Sequence, residues 1–353
     1  MRQRALLSVL LVHAIEQTDL AGDALSHEDR MLASSEAADG RALPAAAQAP
    51  AQIDRDSERF LARRAEGLLA RLRVRSPGVD RILAAAAGPT GLDGAILLLG
   101  FAAGVAISFA DGTRIDVFAY PLIALILWNL VVYVVLITRA WSPAARDGFL
   151  RRWFARVYAN RVRARIETLI IHSIGFNAPL APGLRRFAAD WSEVARPVFR
   201  ERARRLLHLA AILAALGLAA GYGIRGGILR QPAGWGASVF GPASAHAALV
   251  TLYGAASAVA RVPVPSSHDM QALAWTSLTS GGGPAGPWLI LIACTALLYV
   301  VLPRLLAVII TTLALWRRSA TLRSPPSFDA YLAAVLRASP TAPAPAPQPP
   351  PLR

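Results

Sequence analysis

Three polar side chains interrupt stretches that are otherwise apolar, and they are the residues of this chain best placed to do chemistry. Asn129 and Tyr133 stand one helical turn apart within Val117–Thr138, and Arg304 follows Pro303 near the middle of Trp288–Trp316. A polar group in hydrocarbon is costly unless it is paired or lines a path, so these three are read as an intramembrane polar set. Asn129 and Tyr133 either bond between helices or form a polar site in the bundle. Arg304 either joins that site or reaches back to the inner headgroups. His208, at the head of Leu206–Ile224, is expected at the interface.

Other constellations are poor. Ser266-Ser267-His268-Asp269, with His246 upstream, brings the residue types of a hydrolytic triad together. A triad is a spatial arrangement, however, and sequence neighbours rarely face one another. The six histidines contain no HxxxH pair, and with Cys294 as the one cysteine neither a zinc set nor an intramolecular disulfide is expected. Lysine is absent, which excludes a Walker A loop, a kinase strand lysine and a Schiff base. No catalytic, cofactor or metal residue is assigned, and the chain is read as non-enzymatic. Asp and Glu are nearly missing from the apolar stretches, which argues against proton-coupled transport.

The elements that must position these residues are four apolar stretches, Gly94–Ala110, Val117–Thr138, Leu206–Ile224 and Trp288–Trp316. Each is long enough at helical rise to cross roughly 30 Å of hydrocarbon. Arginine supplies the whole basic excess of +15, and its placement is uneven. Twelve precede the first stretch, one lies at 111–116, 15 at 139–205, three at 225–287 and five after Trp316. By the positive-inside rule this alternation puts both ends and the 139–205 segment in the cytoplasm. The excess is assigned to anionic lipid on that side rather than to nucleic acid.

The expected fold class is therefore an all-α polytopic membrane protein. It has four transmembrane helices, cytoplasmic termini, helical cytoplasmic segments and a small extracytoplasmic cap. Its parts are a cytoplasmic helical region (1–92), a hairpin (93–138, spans 94–110 and 117–138), an Arg-rich helical segment (139–205) and a third span (206–224). An extracytoplasmic segment (225–287), a fourth span (288–316) and a tail with a Pro-rich end (317–353) follow. Met1–Ile15 resembles a short signal peptide, but Glu16 and Asp19 follow without a cleavage site, so an amphipathic helix is expected. Ala33–Gln52 reads as a linker. Ala243–Ala260 is nearly long enough to span, yet a fifth pass would export Arg317, Arg318 and Arg323, so an interfacial or re-entrant helix is expected there.

Two packing signals match. Gly100-Phe-Ala-Ala-Gly104 and Gly217-Leu-Ala-Ala-Gly221 each place glycines at i and i+4, a groove for close backbone approach between spans one and three or across a homodimer. In the cytoplasmic segment Leu150, Trp153, Phe154 and Val157 share a helical face, with Arg151, Arg152 and Arg156 beside it. Phe187, Trp191, Val194 and Val198 form a second stripe. Trp153, Phe154, Trp191 and these arginines are read either as a surface for a partner or lipid, or as a hairpin packing on itself.

Several stretches resemble a bacterial membrane protein family known as domain of unknown function 2868. They are His13-Ala-Ile-Glu16-Gln-Thr-Asp19, Asp29-Arg30-Met-Leu-Ala33-Ser34, Phe60-Leu61-Ala-Arg-Arg64-Ala65, Ile126-Leu127-Trp128-Asn129-Leu130-Val131-Val132-Tyr133 and Tyr299-Val-Val-Leu-Pro303-Arg304-Leu305-Leu306. A sixth, Gly234-Trp235-Gly-Ala-Ser238-Val239-Phe240, departs from the family pattern. The resemblance spans residues 10 to about 338 and carries no catalytic residues. It implies a multi-pass bacterial inner-membrane protein. Such proteins are often encoded beside a P-loop GTPase, so it also implies a membrane platform for that partner. The rival reading is a small transporter or channel lined by Asn129, Tyr133 and Arg304.

Overall fold

The computed structural model describes residues 3–38, 55–88, 91–141, 149–175, 178–236, 241–275, 281–320, 322, 325 and 327–338. The chain is mostly α-helical, and its described residues form two compact units, each with its own apolar core.

The first unit draws on Met1–Thr90, Trp153–Arg200 and Leu315–Arg353. It contains α1 (Gln3–Thr18), α2 (His27–Ala38), α3 (Arg55–Arg75), α4 (Gly78–Ala87), most of α7 (Phe149–Leu169), α8 (Ala181–Val194), the start of α9 (Arg196–Gly223) and α14 (Ser327–Ala338). Every residue from Leu6 to Ile15 is buried. The expected amphipathic helix is corrected here: α1 is apolar on nearly all sides, and such a helix belongs at the centre of a domain. Around it pack α3, through Leu61, Ala65, Leu68 and Leu72, and α8. Gly183 lets α8 approach closely, since a Cβ there would lie 2.8 Å from the Ile15 Cα.

Local chemistry sets the boundaries of α2. Asp19 accepts from the Ala24 and Leu25 amides, closing the turn after α1. Ser26 and Asp29 then form a reciprocal cap, each side chain accepting from the other's amide. Ala33–Ala38, expected in a linker, completes the helix; residues 39–52, the remainder of that linker, lie outside the described set. Trp191 is also corrected. It is 0% exposed and donates through Nε1 to the Ala86 carbonyl at 3.1 Å, so it holds the core and offers no surface. On α7 the buried face runs through Tyr158, Val162 and Ile166 to Ile170, leaving Trp153 at 45% exposure and Arg156 exposed. The side chains of Leu150, Arg151, Arg152 and Phe154 lie outside the described set.

The second unit draws on Gly91–Arg152 and Glu201–Ala314. Here α5 (Gly91–Ser108), α6 (Tyr120–Trp141), the rest of α9, α10 (Pro242–Ala260), α11 (Ser267–Ala272), α12 (Gly286–Ala296) and α13 (Leu302–Ala320) occur. Three helical runs are long and apolar enough to cross a membrane: Arg196–Ile228, Pro242–Ala260 and Gly286–Ala320. The apolar stretches of α5 and α6 described in full, Asp93–Ser108 and Tyr120–Val135, are shorter. Large apolar side chains stand exposed along α6 and α13, among them Trp128, Val131, Leu306, Ile310 and Leu313. The second expected span begins late, because Val117 precedes the helix. Ile115–Asp116 (β1) pairs in parallel with Ala233–Gly234 (β2), a two-residue ladder in a mostly helical unit.

Glycine fixes how α5 meets α9. A Cβ on Gly100 would lie 2.8 Å from the Ala210 carbonyl; one on Gly104 would strike Ala214, one on Gly217 Phe101, and one on Gly221 Ser108. Contacts that rise together in both helices mean that α5 and α9 run in the same direction, backbone against backbone.

The helix α10 buries Ala245, Leu249, Tyr253 and Ala256 and packs on α12. Arg261 then takes a left-handed conformation, φ 56°, and the chain turns back. His246 Nδ1 meets the Pro265 carbonyl at 2.8 Å, so the excursion begins and ends at one level.

Candidate functional site

The residue after Pro303 defines the site. A five-residue π turn, Leu297–Val301, joins α12 to α13, and proline two residues later has no N–H for the Tyr299 carbonyl four residues before it. The Tyr133 hydroxyl donates to that carbonyl instead, at 3.1 Å. This contact ties α6 to the helix break and brings Asn129, one turn earlier, beside Arg304.

Arg304 is 5% exposed. Its Nε donates to Asn129 Oδ1 at 2.7 Å, its Nη1 lies 3.0 Å from His208 Nδ1, and its Cζ stands 5.6 Å from the centre of the Tyr133 ring. Asn129 gives its own amide to the Leu125 carbonyl at 2.7 Å, which fixes its oxygen toward the guanidinium. His208 Nδ1 must accept, since arginine has only donors. His208, expected at the interface, is buried in this cluster, and no local signal in Leu-Leu-His-Leu distinguishes the two.

Among the described residues no carboxylate pairs with Arg304. An amide oxygen, an imidazole nitrogen and an aromatic face hold it, and all are neutral acceptors. The group can bind an acceptor or an anion. It cannot shuttle protons through arginine, which stays charged.

Arg225, whose sequence position shows only a charge in the 225–287 segment, is a second buried arginine. It is 0% exposed and donates to the carbonyls of Ser108, Gly112 and Arg114 and to Gln231 Oε1. Those carbonyls belong to the end of α5 and the loop after it, so Arg225 caps one helix from the end of another.

Ser266-Ser267-His268-Asp269 is a helix start. Ser266 and Asp269 cap α11 reciprocally, and the Ser266 hydroxyl and amide hold the Asp269 carboxyl below its usual range. His246 is engaged with Pro265. Among the described residues no three His, Cys, Asp or Glu side chains gather as metal ligands.

A polar cluster also occupies the first unit. Glu16 takes Arg64 in two bonds, 2.6 and 3.0 Å, and accepts from the Tyr331 hydroxyl. Arg64 also reaches Ser34 Oγ at 2.9 Å and Tyr331 at 2.8 Å. Burial pushes the Tyr331 hydroxyl well above its ordinary pKa, and Glu16 adds to that shift. The stretches quoted above thus meet at two places: Glu16, Ser34 and Arg64 here, and Asn129, Tyr133, Tyr299 and Arg304 in the second unit. No family model matches the chain, and no curated protein or solved structure is significantly similar to it.

Proposed function

We propose that the protein is a non-enzymatic, four-pass inner-membrane protein with both ends cytoplasmic, whose helical first unit is a platform for a soluble partner. The P-loop GTPase implied by the family resemblance is the partner class to test first. The supporting observation is the contrast in burial between the units. The first closes its apolar residues around α1, as a domain in water must, while α6 and α13 of the second leave theirs outward. The parallel course of α5 and α9 and the return of the chain after α10 support four passes, with α10 an excursion that changes no side.

Reporters fused after Arg146 and after Arg323 should both read cytoplasm, and one near Ser267 the opposite side. If the Ser267 and Arg146 reporters agree, the four-pass reading fails. For the platform, solubilised protein should lose its soluble partner on combining Trp153→Ser with Arg156→Glu at exposed positions of α7. Equal recovery of the same proteins from variant and wild type sinks it.

A second reading, a transporter or channel for a small anion or polar solute, is favoured by the convergence of Asn129, Tyr133 and Arg304. Its test is anion flux into proteoliposomes; flux unaltered by Arg304→Gln ends it.

A further inference from the structure

Arg304 fixes a common level for two antiparallel helices of the second unit. His208 of α9 lies beside it, and toward the other end Gly226, just past α9, packs against Ala285 and Leu289 at the start of α12. Advancing along α13 from Arg304 therefore runs beside α9 backwards from His208, at about 1.5 Å per residue. Within about 14 Å of that level, α13 turns Leu305, Leu306, Ile309, Ile310 and Leu313 outward, 45–58% exposed. Over the same interval α9 carries Arg205, Arg204 and Arg202, all half-buried. One slab of the unit is thus apolar on one helix and basic on another.

The described charges in this slab do not balance. The Glu201 carboxylate meets Arg204 at 3.2 Å. Asp93 of α5 is level with Ala203, since Gly100 of that helix lies against Ala210, and it offsets Arg202 in number; each of the two is engaged. Arg205 and Arg304 remain. Among the described residues no carboxylate pairs with either, and Arg205 has no hydrogen-bond partner there. Its nitrogens are not among the buried atoms left unsatisfied, so the guanidinium reaches the protein surface. Arg205 stands one turn before His208 on the same face of α9, next to the cluster that holds Arg304.

We propose that Arg205 binds the phosphate of an anionic phospholipid from the cytoplasmic leaflet, whose acyl chains lie along the exposed face of α13. The site rests on the membrane reading of that face and adds a ligand to it. An unanswered charge is costly at hydrocarbon depth, and anionic lipid is the counter-charge that the cytoplasmic leaflet supplies. The guanidinium presents paired donors that fit phosphate oxygens. The surplus positive charge selects the headgroup: a zwitterionic lipid would bring an ammonium into the same slab, whereas phosphatidylglycerol brings only the negative charge. Apolar side chains at the depth of the guanidinium favour a lipid over a soluble anion, which gains nothing from them.

Native mass spectrometry of the delipidated full-length protein in detergent tests this, with phosphatidylglycerol titrated against phosphatidylcholine of the same chains. The first phosphatidylglycerol should bind about tenfold more tightly, because hydrogen bonds between charged groups are the stronger ones. Arg205→Gln should abolish that preference, and Arg161→Gln, at an exposed position of α7, should keep it. Glycerol 3-phosphate, a headgroup without chains, should not displace the lipid. Equal binding of the two lipids by wild type overturns the site even if Arg205→Gln folds poorly. So does a preference that survives Arg205→Gln, an equal loss in Arg161→Gln, or displacement by glycerol 3-phosphate. A fluorophore on Leu306→Cys, in a Cys294→Ser background, should be quenched by lipid spin-labelled in the acyl chain. Quenching without a lipid preference sinks the site alone; no quenching sinks the membrane placement of α13 with it.

Discussion

Arg64 and Arg304 are buried to nearly the same degree, 4% and 5% exposed, and are held in opposite ways. Arg64 meets a carboxylate face to face and shares it with a tyrosine. Arg304 meets an amide, an imidazole and a ring, and among the described residues no charge answers its own. The first arrangement closes its electrostatics within the protein and is structural in character. The second leaves a net charge to be answered from elsewhere. Two burials of one residue type can thus carry different meanings, and the partner set separates them.

The largest effect should come from breaking the closed pair. Glu16→Gln strands a buried guanidinium, so thermal or denaturant unfolding should show a loss of about 3–5 kcal/mol. Replacing both partners with apolar residues, Glu16→Leu with Arg64→Met, should recover much of that loss. If Glu16→Gln proves neutral, the Glu16–Arg64 pair is not structural.

Gly104→Val comes next, since its side chain would drive into the Ala214 backbone. Overpacking costs typically about 1–3 kcal/mol, and a rigid helix backbone puts this case at the upper end. A value near zero in detergent unfolding assays would mean that α5 and α9 do not meet at these glycines.

Arg304→Met should cost less than Glu16→Gln, about 2 kcal/mol for two hydrogen bonds, because no stranded carboxylate is left behind. A larger cost than that of Glu16→Gln would reverse the comparison and make Arg304 the structural residue.

The smallest effect is a pH dependence. Burial holds the His13 imidazole below its ordinary 6.5, an effect opposed by Asp190 and Glu16 and supported by Arg186. Unfolding therefore takes up a proton between the two values. The contribution is complete above pH 6.5 and is lost as pH falls through the lower folded-state value. His13→Phe should lose less melting temperature than wild type between pH 7 and pH 5; parallel curves would remove His13 as the cause.

What could be read in the chain beforehand was whatever depends on neighbours in sequence. Apolar length marked α9 and α12–α13, paired glycines marked a groove on α5 and α9, and Asn129, Tyr133 and Arg304 stood out as polar residues in apolar stretches. What escaped depends on partners far along the chain. Arg304 bonds a residue 175 positions away, and Tyr331 one 315 away, with no periodicity to announce either. Trp191 belonged to an amphipathic stripe, and a stripe does not say whether it faces a partner or its own domain. The apolar run of α1 fitted a surface helix only while its surroundings were unknown. In α10, composition favours a crossing, whereas the return through Val262–Pro265 depends on the left-handed Arg261.

The π turn at Leu297–Val301 sets where the downstream charge points through the number of residues it contains rather than through their identity. A π turn holds an extra residue, and each residue of a helix advances the next by about 100°. Deleting any one of these five would leave hydropathy and length almost unchanged, yet it would swing Arg304 around the axis of α13, away from Asn129 and His208. At this point of the chain an insertion or deletion acts as a rotation, so a lineage could redirect this buried guanidinium by a change of length alone.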